Sequence, residues 1–462
     1  MMLLSDITKA VGGQLIGNDV LCESFGSDSR NISKNQLFVA IKGDNFDGNK
    51  FAAEAIKQGA AAVLVSSKSI KAHPAVLVKD TRLALGQLAH FWRCKMQTPL
   101  VAITGSNGKT TTKDMLYAIL AAATGDDAKV HATHGNLNND IGMPMTLLKL
   151  QAQHQFAAIE MGMNHLGEID YLTHIAQPNV AVITNAGTAH IGELGSRDNI
   201  AIAKGEIFAG LSNEGVAVIN ADDAYAEYWE KLNTSKKIIT FGQHNKADVT
   251  AAYTEAKDGE NKFKLFNLTT PNGNIGFIFD ILGKHNISNA LAASACAVAL
   301  GVSNANIARG LKRFGGVKGR LQRKNGINGA ALIDDTYNAN PDSMKAAIDV
   351  LAEQAGKQIF VMGDMAELGA DSAKMHAEIG AYAKQEGIHQ LLGLGELTQH
   401  AVNAFGTNGK HYASIEANIY AARKAMTKDV TILVKGSRFM QMERVVDVLE
   451  QKLTAKQLLK DE

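Results

Sequence analysis

Short hydrophobic runs alternate with amphipathic segments along most of the chain. In the first segment, apolar and β-branched runs predict strands at residues 37–43, 61–65 and 75–78. Helical spacing of apolar positions predicts helices at residues 50–58 and 82–96. This segment is therefore predicted to fold as a small α/β unit.

A second segment begins with the apolar run at residues 100–103, which predicts a buried strand, and continues as a predicted helix at 113–123. Two later apolar runs, at 156–160 and 180–185, each end on a charged or polar group. Residues 242–281 are polar and strand-tending, which is typical of an insertion. The alanine-rich stretch at 289–302 is well short of the roughly 20 residues that a membrane span requires, and we predict a buried helix.

Strand and helix patterns alternate regularly after Gly315. Strands are predicted at residues 330–335, 358–362, 390–394 and 430–434, and helices at 342–354, 371–386, 415–426 and 440–457. This alternation predicts a small open parallel sheet covered by helices. The glycines at 393 and 395 do not begin a dinucleotide fingerprint, because Thr398 stands at the third glycine position.

The length of the chain predicts several cores. At 462 residues, and with about 150 residues in a typical domain, three domains are expected. We predict an α/β protein with a small α/β domain at residues 1–97, a central P-loop ATPase-like domain with a parallel sheet at 98–314, and a C-terminal Rossmann-like domain at 315–462.

Composition argues against several classes of function. The 47 Lys and Arg residues balance 46 Asp and Glu residues, so bulk charge does not favour a nucleic-acid or membrane-surface partner. The N-terminus lacks a basic start followed by a sustained apolar run, and we expect no signal peptide. Three distant cysteines without a Cys-x-x-Cys pair fit a reducing cytoplasm and argue against a zinc site.

The turn after the run at 100–103 carries the strongest functional pattern. Its glycines let backbone N–H groups surround an anion at the start of the next helix, where Lys109 would reach the ATP phosphates and the Thr110 hydroxyl would hold Mg²⁺. Ile103 stands where the common P-loop has its first glycine, so only a shortened Gly-x-x-Gly-Lys-Thr remains. The alternative is a glycine turn that binds nothing. The nucleotide-binding candidates here are Gly105, Ser106, Asn107, Gly108, Lys109, Thr110 and Thr111.

Two further polar groups follow predicted strands of the second segment. In open parallel sheets, ligands bind beyond the carboxyl ends of the strands, so Glu160 and the loop at 185–190 are expected to face Lys109. A carboxylate is a natural ligand of Mg²⁺. A lone loop histidine such as His190 is more often a hydrogen-bonding group than a metal ligand.

Other polar segments leave binding and structural interpretations open. The clusters at 27–30 and 42–49 suit a nucleotide diphosphate or an ordinary turn, and the asparagines of 135–144 suit a sugar or peptide or cap local backbone. Lys204 and Glu206 lie in a predicted helix, where a solvated surface pair is the default interpretation. The cations of 435–438 follow a predicted strand and suit a carboxylate ligand.

Several of these segments together resemble the Mur ligase family, across the whole chain and in the family's order. The shortened phosphate loop is the family's own ATP signature, and the Asp-Asp-Thr-Tyr-Asn-Ala-Asn-Pro segment is most similar to the branch that adds D-alanyl-D-alanine. The segments that carry the resemblance are residues 28–30, 37–43, 47–48, 104–111, 135–144, 160–164, 185–190, 203–206, 283–286 and 334–341.

The resemblance implies a cytoplasmic, monomeric ATP-dependent ligase of peptidoglycan synthesis, in the cell-wall pathway on which cell shape and division depend. It would join D-alanyl-D-alanine to UDP-N-acetylmuramoyl-tripeptide through an acyl phosphate, with Mg²⁺ as the metal. UDP would be bound by the N-terminal domain, and the asparagine-rich loop would line the substrate site. The implied substrate-binding residues are Ser29, Arg30, Lys42, Asp47, Gly48, Asn136, Asn138 and Asn139.

The resemblance also assigns roles at the nucleotide. Glu160 and His190 are expected to bind two Mg²⁺ ions, with Thr110 helping the first, and Lys204 becomes a carbamate candidate because the matching lysine of similar ligases reacts with CO₂. Such a lysine must be neutral, which requires a lowered pKa. Lys109, Lys204, His190 and Arg320 form the implied catalytic set. The nucleotide contacts from the later segments are Asn286 at adenine, Arg320 and Asp335 at phosphate and ribose, and the neighbouring Tyr337 and Asn338.

Three alternatives stay open at this point. Two are related ligases, namely a sister enzyme that adds the third peptide residue and a folylpolyglutamate synthetase-like enzyme. The third is a P-loop switch or partition ATPase that forms no bond. Residues 334–341 and the asparagine-rich loop favour the D-alanyl-D-alanine-adding enzyme, and a switch would leave the first and third domains unexplained.

Overall fold

The alternating strand and helix patterns give three α/β domains in the computed structural model, which describes residues 1–43, 46–258 and 261–451. The predicted α/β class is therefore confirmed. The boundaries at 97/98 and 314/315 stay predictions. Residues 44–45 of the polar cluster at 42–49, and the end of the helix predicted at 440–457, lie outside the described residues.

The N-terminal domain is built on a five-stranded sheet with the order β2-β7-β6-β5-β4, parallel except between β2 and β7. A separate antiparallel pair joins β1 and β3. The Asp80 carboxylate accepts hydrogen bonds from the backbone N–H groups of Arg82 and Leu83, which caps the last helix of the domain. The elements are β1 (Met2–Leu3), α1 (Leu4–Ala10), β2 (Gln14–Ile16), β3 (Leu21–Cys22), β4 (Ser24–Gly26), β5 (Gln36–Val39), α2 (Ala52–Lys57), β6 (Ala62–Val65), β7 (Ala75–Leu77) and α3 (Thr81–Met96).

The middle domain has a six-stranded parallel sheet with the order β13-β12-β11-β8-β10-β9. Its central strands are apolar and buried, as expected of a parallel sheet that is covered on both faces. The elements are β8 (Leu100–Thr104), α4 (Lys109–Thr124), β9 (Val130–Ala132), α5 (Gly142–Leu147), β10 (Phe156–Glu160), α6 (Glu168–Ala176), β11 (Val180–Ile183), α7 (Ile191–Leu194), α8 (Arg197–Gly205), β12 (Val216–Asn220), α9 (Ala226–Leu232) and β13 (Lys237–Phe241).

The segment predicted as a polar insertion forms a three-stranded antiparallel sheet of β14 (Thr250–Asp258), β15 (Asn261–Thr270) and β16 (Gly273–Ile278). The buried alanine-rich helix is confirmed as α10 (Lys284–Ala299), followed by α11 (Asn304–Arg313). Both helices pack against α4. Within the described ranges, no helix combines the length and apolar character needed to cross a membrane.

The C-terminal domain has a six-stranded sheet with the order β17-β18-β22-β19-β20-β21. The four strands predicted for this domain, β18, β19, β20 and β22, pair in parallel as expected. The edge strand β17 was not predicted, and it is antiparallel to β18 because a short turn joins the two strands. The elements are β17 (Gln322–Asn325), β18 (Ala331–Asp335), α12 (Pro341–Ala352), β19 (Lys357–Gly363), α13 (Ser372–Gln385), β20 (Gln390–Leu394), α14 (Thr398–Phe405), β21 (Gly409–Tyr412), α15 (Ile415–Ala425), β22 (Val430–Lys435) and α16 (Glu443–Leu449).

Candidate active site

The phosphate-loop candidate joins β8 to α4 at the centre of the middle sheet. Gly105 has φ +152° and Gly108 has φ +83°. A Cβ atom at Gly105 would lie 1.8 Å from Thr184 Oγ1, and one at Gly108 would lie 2.1 Å from Asn289 Oδ1. Both positions therefore require glycine. The helix begins at Lys109, one turn earlier than the predicted start at residue 113.

The loop is held from the neighbouring strand and leaves one hydroxyl free. Asn185 accepts hydrogen bonds from the backbone N–H groups of Ser106 (2.9 Å) and Asn107 (3.0 Å). Ser106 Oγ is buried and has no hydrogen-bond partner among the described residues, although the side chain lines the cavity. An unsatisfied donor at the start of a helix is suited to a phosphate oxygen.

Lys109 lies at the wall of this cavity. Its Nζ donates a hydrogen bond to Gly105 O at 2.7 Å. Desolvation lowers the pKa of Lys109, the Glu160 carboxylate opposes that shift, and the Arg320 guanidinium adds to it. The two cations thus face one region of the site, where an anionic ligand would relieve their repulsion.

Glu160 ends β10, beside the phosphate loop, as the strand-edge argument predicts. It is 3% exposed, and its two carboxylate oxygens accept hydrogen bonds from Thr110 Oγ1 at 2.9 Å and Asn138 Nδ2 at 2.8 Å. Arg320 Nη2 in turn donates to Thr110 Oγ1 at 3.0 Å. A carboxylate and a hydroxyl therefore adjoin the phosphate loop.

His190 follows β11 and is held by a residue from the C-terminal domain. Its Nδ1 lies 3.0 Å from Glu367 Oε2, and the imidazole holds the pKa of that carboxyl below its usual range. A histidine whose Nδ1 faces a carboxylate presents its Nε2 to a ligand, as metal-binding histidines commonly do. Sequence reasoning missed Glu367.

The asparagine-rich loop has structural as well as lining roles. Asn138 is committed to Glu160, and Asn139 Oδ1 accepts from Gly142 N at 2.8 Å, which fixes the start of α5. Asn136 is exposed at the cavity wall. Asp140 forms an ion pair with Arg82 of α3. Asn136, Asn138, Asn139 and Asp140 all line the cavity, and their predicted substrate role stays a prediction.

Lys204, in the last turn of α8, is 2% exposed, so the solvated-surface interpretation is wrong. No hydrogen bond or ion pair of its Nζ is found within the described part of the chain. Desolvation, followed by the charge of Lys109, lowers the pKa of Lys204 well below its usual value. Glu206 also has a structural role, because it accepts from the backbone N–H groups of Gly167 (2.8 Å) and Asp170 (3.1 Å) at the start of α6.

The C-terminal domain supplies a second cluster at the ends of β18 and β22. Arg320 stacks over the Tyr337 ring, with its Cζ 4.2 Å from the ring centroid. Asp335 Oδ1 accepts from Leu321 N at 3.1 Å, and Asp335 Oδ2 lies 2.7 Å from Lys435 Nζ. These contacts orient the arginine and the carboxylate predicted to bind nucleotide.

The two cations at 435–438 lie in different environments, and their predicted role stays a prediction. Lys435 is buried, paired with Asp335 and hydrogen-bonded to Asn338 O at 2.9 Å, so its charge is already matched. Arg438 is exposed and lies 2.9 Å from Glu443. Of these two cations at the cavity wall, Lys435 is buried and Arg438 is open to solvent.

The predicted adenine residue lies in the first turn of α10. Asn286 is buried and donates to Leu282 O at 2.8 Å, and its Oδ1 accepts from Asn289 Nδ2 at 2.8 Å. Asn289 also contacts Thr112 of α4 at 3.4 Å. Sequence reasoning missed Asn289, although a residue three positions after Asn286 shares its helix face.

Most of these groups line one cavity of about 1270 Å³ between the middle and C-terminal domains, to which Asp80, Arg82 and Leu83 of the N-terminal domain also contribute. Its volume exceeds the range of about 300–1,000 Å³ for an ordinary small-molecule site. The described residues that line it do not include Thr110 or Lys204. Its walls include Lys109, Glu160, His190, Asn286 and Arg320. Among the described residues, no three His, Cys, Asp or Glu side chains cluster as a metal site. The donor set instead fits an ion that takes few protein oxygens and leaves the rest to phosphate and water.

A second cavity of about 490 Å³ lies in the N-terminal domain. Asp28 binds Arg30 through Nε and Nη2, both at 2.9 Å, and the arginine lowers the pKa of Asp28 to about 2. Phe46 and Phe51 stack with ring centroids 5.4 Å apart. The cavity walls are Ser27, Asp28, Ser29, Arg30, Phe46 and Phe51.

Three other predicted UDP-binding residues serve local structure. Lys42 and Asp47 form an antiparallel bridge, and the Asp47 carboxylate caps the turn at Asn49. A Cβ at Gly48 would lie 2.6 Å from Ile41 O, so close backbone packing requires the glycine. The structure thus places Ser29 and Arg30 at the cavity, and Lys42, Asp47 and Gly48 in the segment that leads to Phe51.

Comparison with known proteins identifies three family regions in this chain. Residues 23–93 match the description "Mur ligase family, catalytic domain", residues 103–297 match "Mur ligase middle domain", and residues 319–438 match "Mur ligase, glutamate ligase domain".

Individual relatives extend this similarity over nearly the full length. The UDP-N-acetylmuramoyl-tripeptide–D-alanyl-D-alanine ligase of Escherichia coli is 40% identical over 97% of this chain and 98% of its own. A crystal structure of MurF from Acinetobacter baumannii is 37% identical, has a TM-score of 0.86 and covers 96% of this chain and 97% of that chain. The MurF ligase from Thermotoga maritima in complex with ADP is 25% identical, has a TM-score of 0.80 and covers 95% and 98% of the two chains.

Proposed function

The chain belongs to the Mur ligase family, and we propose that it uses ATP to join D-alanyl-D-alanine to UDP-N-acetylmuramoyl-tripeptide. The observation that carries this proposal is the cavity between the middle and C-terminal domains, where a phosphate loop faces a second set of charged residues. Relatives named for this reaction cover nearly all of the chain, which favours it over the sister ligase, the folylpolyglutamate synthetase-like enzyme and the switch.

The reaction would take place in two balanced steps. A carboxylate oxygen of the tripeptide attacks the γ-phosphorus of ATP, the bond to the β-phosphate oxygen breaks, and ADP leaves. The amine of D-alanyl-D-alanine then attacks the acyl carbon, inorganic phosphate leaves, and the nitrogen loses a proton. Lys109 and Arg320 would offset the charge on the transferring phosphoryl group, and the start of α4 would bind its oxygens.

One Mg²⁺ would be bound by Glu160 and Thr110, and His190 would bind a second. The metal would neutralise charge on the phosphates. The fit rests on hard oxygen donors beside the phosphate loop and on the carboxylate behind His190 Nδ1. Lys204 would join this set only as a carbamate, because an ammonium would repel the metal.

ADP or ATP would lie with its base near Asn286 and its ribose near Asp335, flanked by Tyr337 and Asn338. We also propose that the enzyme is monomeric and works in the cytoplasm. ATP is supplied in that compartment, and the free cysteines stay reduced there.

A coupled assay tests the function directly. We expect phosphate release to require both UDP-N-acetylmuramoyl-tripeptide and D-alanyl-D-alanine, with the pentapeptide product identified by mass. Release with neither substrate would favour the switch. Phosphate release with a UDP-N-acetylmuramoyl-dipeptide and a single amino acid, but not with UDP-N-acetylmuramoyl-tripeptide and D-alanyl-D-alanine, would favour the sister ligase.

We expect Phe46→Ala to raise KM for the UDP substrate about ten-fold while kcat is unchanged, because base stacking on an aromatic ring contributes about 1–3 kcal/mol. Phe46 is 54% exposed, so its removal leaves the domain core intact. Tyr420→Ala is the matched control, since Tyr420 is 68% exposed on α15. If KM for the UDP substrate is unchanged in Phe46→Ala, the N-terminal cavity is not the UDP site.

A further inference from the structure

The first turn of α12 joins the C-terminal domain to the phosphate loop. Asn340 is the N-cap of this helix, and its Oδ1 accepts from Ser343 N at 2.9 Å, which fixes the side chain. Its Nδ2 donates to Asn107 Oδ1 at 2.8 Å. The same amide thus caps a helix of one domain and binds the phosphate loop of another.

Asp342, two residues later, binds the loop that leads to His190. Asp342 Oδ2 accepts hydrogen bonds from Thr188 N at 2.7 Å and Thr188 Oγ1 at 2.9 Å. A Cβ at Gly187 would lie 2.5 Å from the same oxygen, so the loop can approach this closely only with glycine there. Both bonds are charge-assisted, and they are therefore stronger than bonds between neutral groups.

Glu367 holds the other end of this loop. Besides its contact with His190, its backbone carbonyl accepts from Gly192 N at 3.2 Å. His190 has φ +64° and Glu367 has φ +62°, and both are non-glycine residues in the left-handed region. Strain of this kind persists where surrounding contacts enforce it, and here each residue faces the other across the domain boundary.

We propose that Asp342 is a positioning residue: through its two bonds to Thr188 it fixes the loop at 185–190 against the C-terminal domain, and so sets the position of His190 relative to the phosphate loop. This inference rests on the proposed ligase function. Contacts that hold the two domains together at this loop would also shield the acyl phosphate from water. Without them, water attacks the acyl carbon, the bond to phosphate breaks, and carboxylate, phosphate and a proton form with no amide.

Asp342→Ala in the full chain is therefore expected to lower kcat for amide formation about ten-fold, since a charge-assisted hydrogen bond is lost. Phosphate released per amide formed should rise above the one-to-one ratio of the unaltered enzyme, while KM for the UDP substrate stays unchanged. Thr188→Val, which keeps only the backbone donor, should show a smaller loss of coupling, and Thr188→Ser should restore it.

Glu353→Ala is the matched control, because Glu353 is an exposed acidic residue next to the C-terminal end of the same helix. Small-angle scattering supplies a readout that is independent of catalysis. We expect ADP to reduce the radius of gyration of the unaltered protein and of Glu353→Ala, but to reduce it less in Asp342→Ala.

An Asp342→Ala protein with one-to-one coupling and the same scattering response would overturn the inference. Equal melting temperatures of the variants show that a loss of coupling does not come from unfolding. If the unaltered protein forms no amide, the proposed function fails, and the scattering comparison still decides whether Asp342 fixes the loop against the C-terminal domain.

Discussion

Lys109→Ala is expected to lower the rate of amide formation about a thousand-fold or more while leaving the binding of the UDP substrate intact. Lys109 lies at the start of α4, close enough to Glu160 and Arg320 for their charges to act on its pKa. Its ammonium is the cation of the phosphate loop itself, so no neighbouring residue replaces it. The UDP cavity is in another domain and does not contain Lys109.

Two measurements separate these effects. Product formation reports catalysis, and calorimetric titration with the UDP substrate should give a Kd within about two-fold of the unaltered protein, which is less than 0.5 kcal/mol. Lys149→Ala, at an exposed lysine of the same domain, should have no effect. Loss of UDP-substrate binding in Lys109→Ala would contradict separate sites, and retained ligation would contradict the role of Lys109.

Hydrophobic patterning is most informative for strands that are buried on both faces. β8, β10 and β11 were predicted, and they are continuous apolar runs because helices cover the parallel sheet on both sides. β12 is an equally apolar and buried run that was not predicted. β17, with the sequence Gln-Arg-Lys-Asn, has no such signal because it is an edge strand held by backbone hydrogen bonds. Its antiparallel direction follows from the turn that precedes β18.

The start of α4 was predicted one turn late for a related reason. Threonines have modest helix propensity, so residues 110–112 favoured a loop when taken alone. In the structure Thr111 and Thr112 are buried and Thr110 binds Glu160, and these tertiary contacts outweigh the local preference.

The site was predictable where one sheet determines it. Lys109, Glu160 and the loop at 185–190 come together because they follow three adjacent parallel strands. Glu367 and Asp342 come from another domain, and no periodicity within one chain segment specifies which surfaces of two domains meet. For Lys204 a signal was present, because it shares a helix face with the buried Ile200 and Ala201.

Lys204 provides the second large effect, and its environment explains why. A buried lysine without a counter-ion is costly as an ammonium, which is the reason for its lowered pKa. The neutral amine can add to CO₂: the nitrogen–carbon bond forms, one amine proton passes to solvent, and the side chain changes from neutral to negative. Beside the Lys109 cation, the negative form is favoured over the ammonium.

We therefore expect Lys204→Ala to lower the rate of ligation about a hundred-fold, with partial recovery when acetate is added to occupy the vacated volume. Enzyme kept in ¹³C-bicarbonate should show one carbamate signal by NMR, absent from Lys204→Ala. Lys113 is an informative comparison, because it is also buried but pairs with Asp114 at 2.8 Å and donates to Thr133 O at 2.8 Å. Because Lys113 already has a carboxylate and a carbonyl oxygen as partners, we expect no carbamate there, and Lys113→Met should keep the signal. A fully active Lys204→Ala would show that ligation does not need this side chain, and a carbamate signal that survives in Lys204→Ala would show that the modified amine is not Lys204.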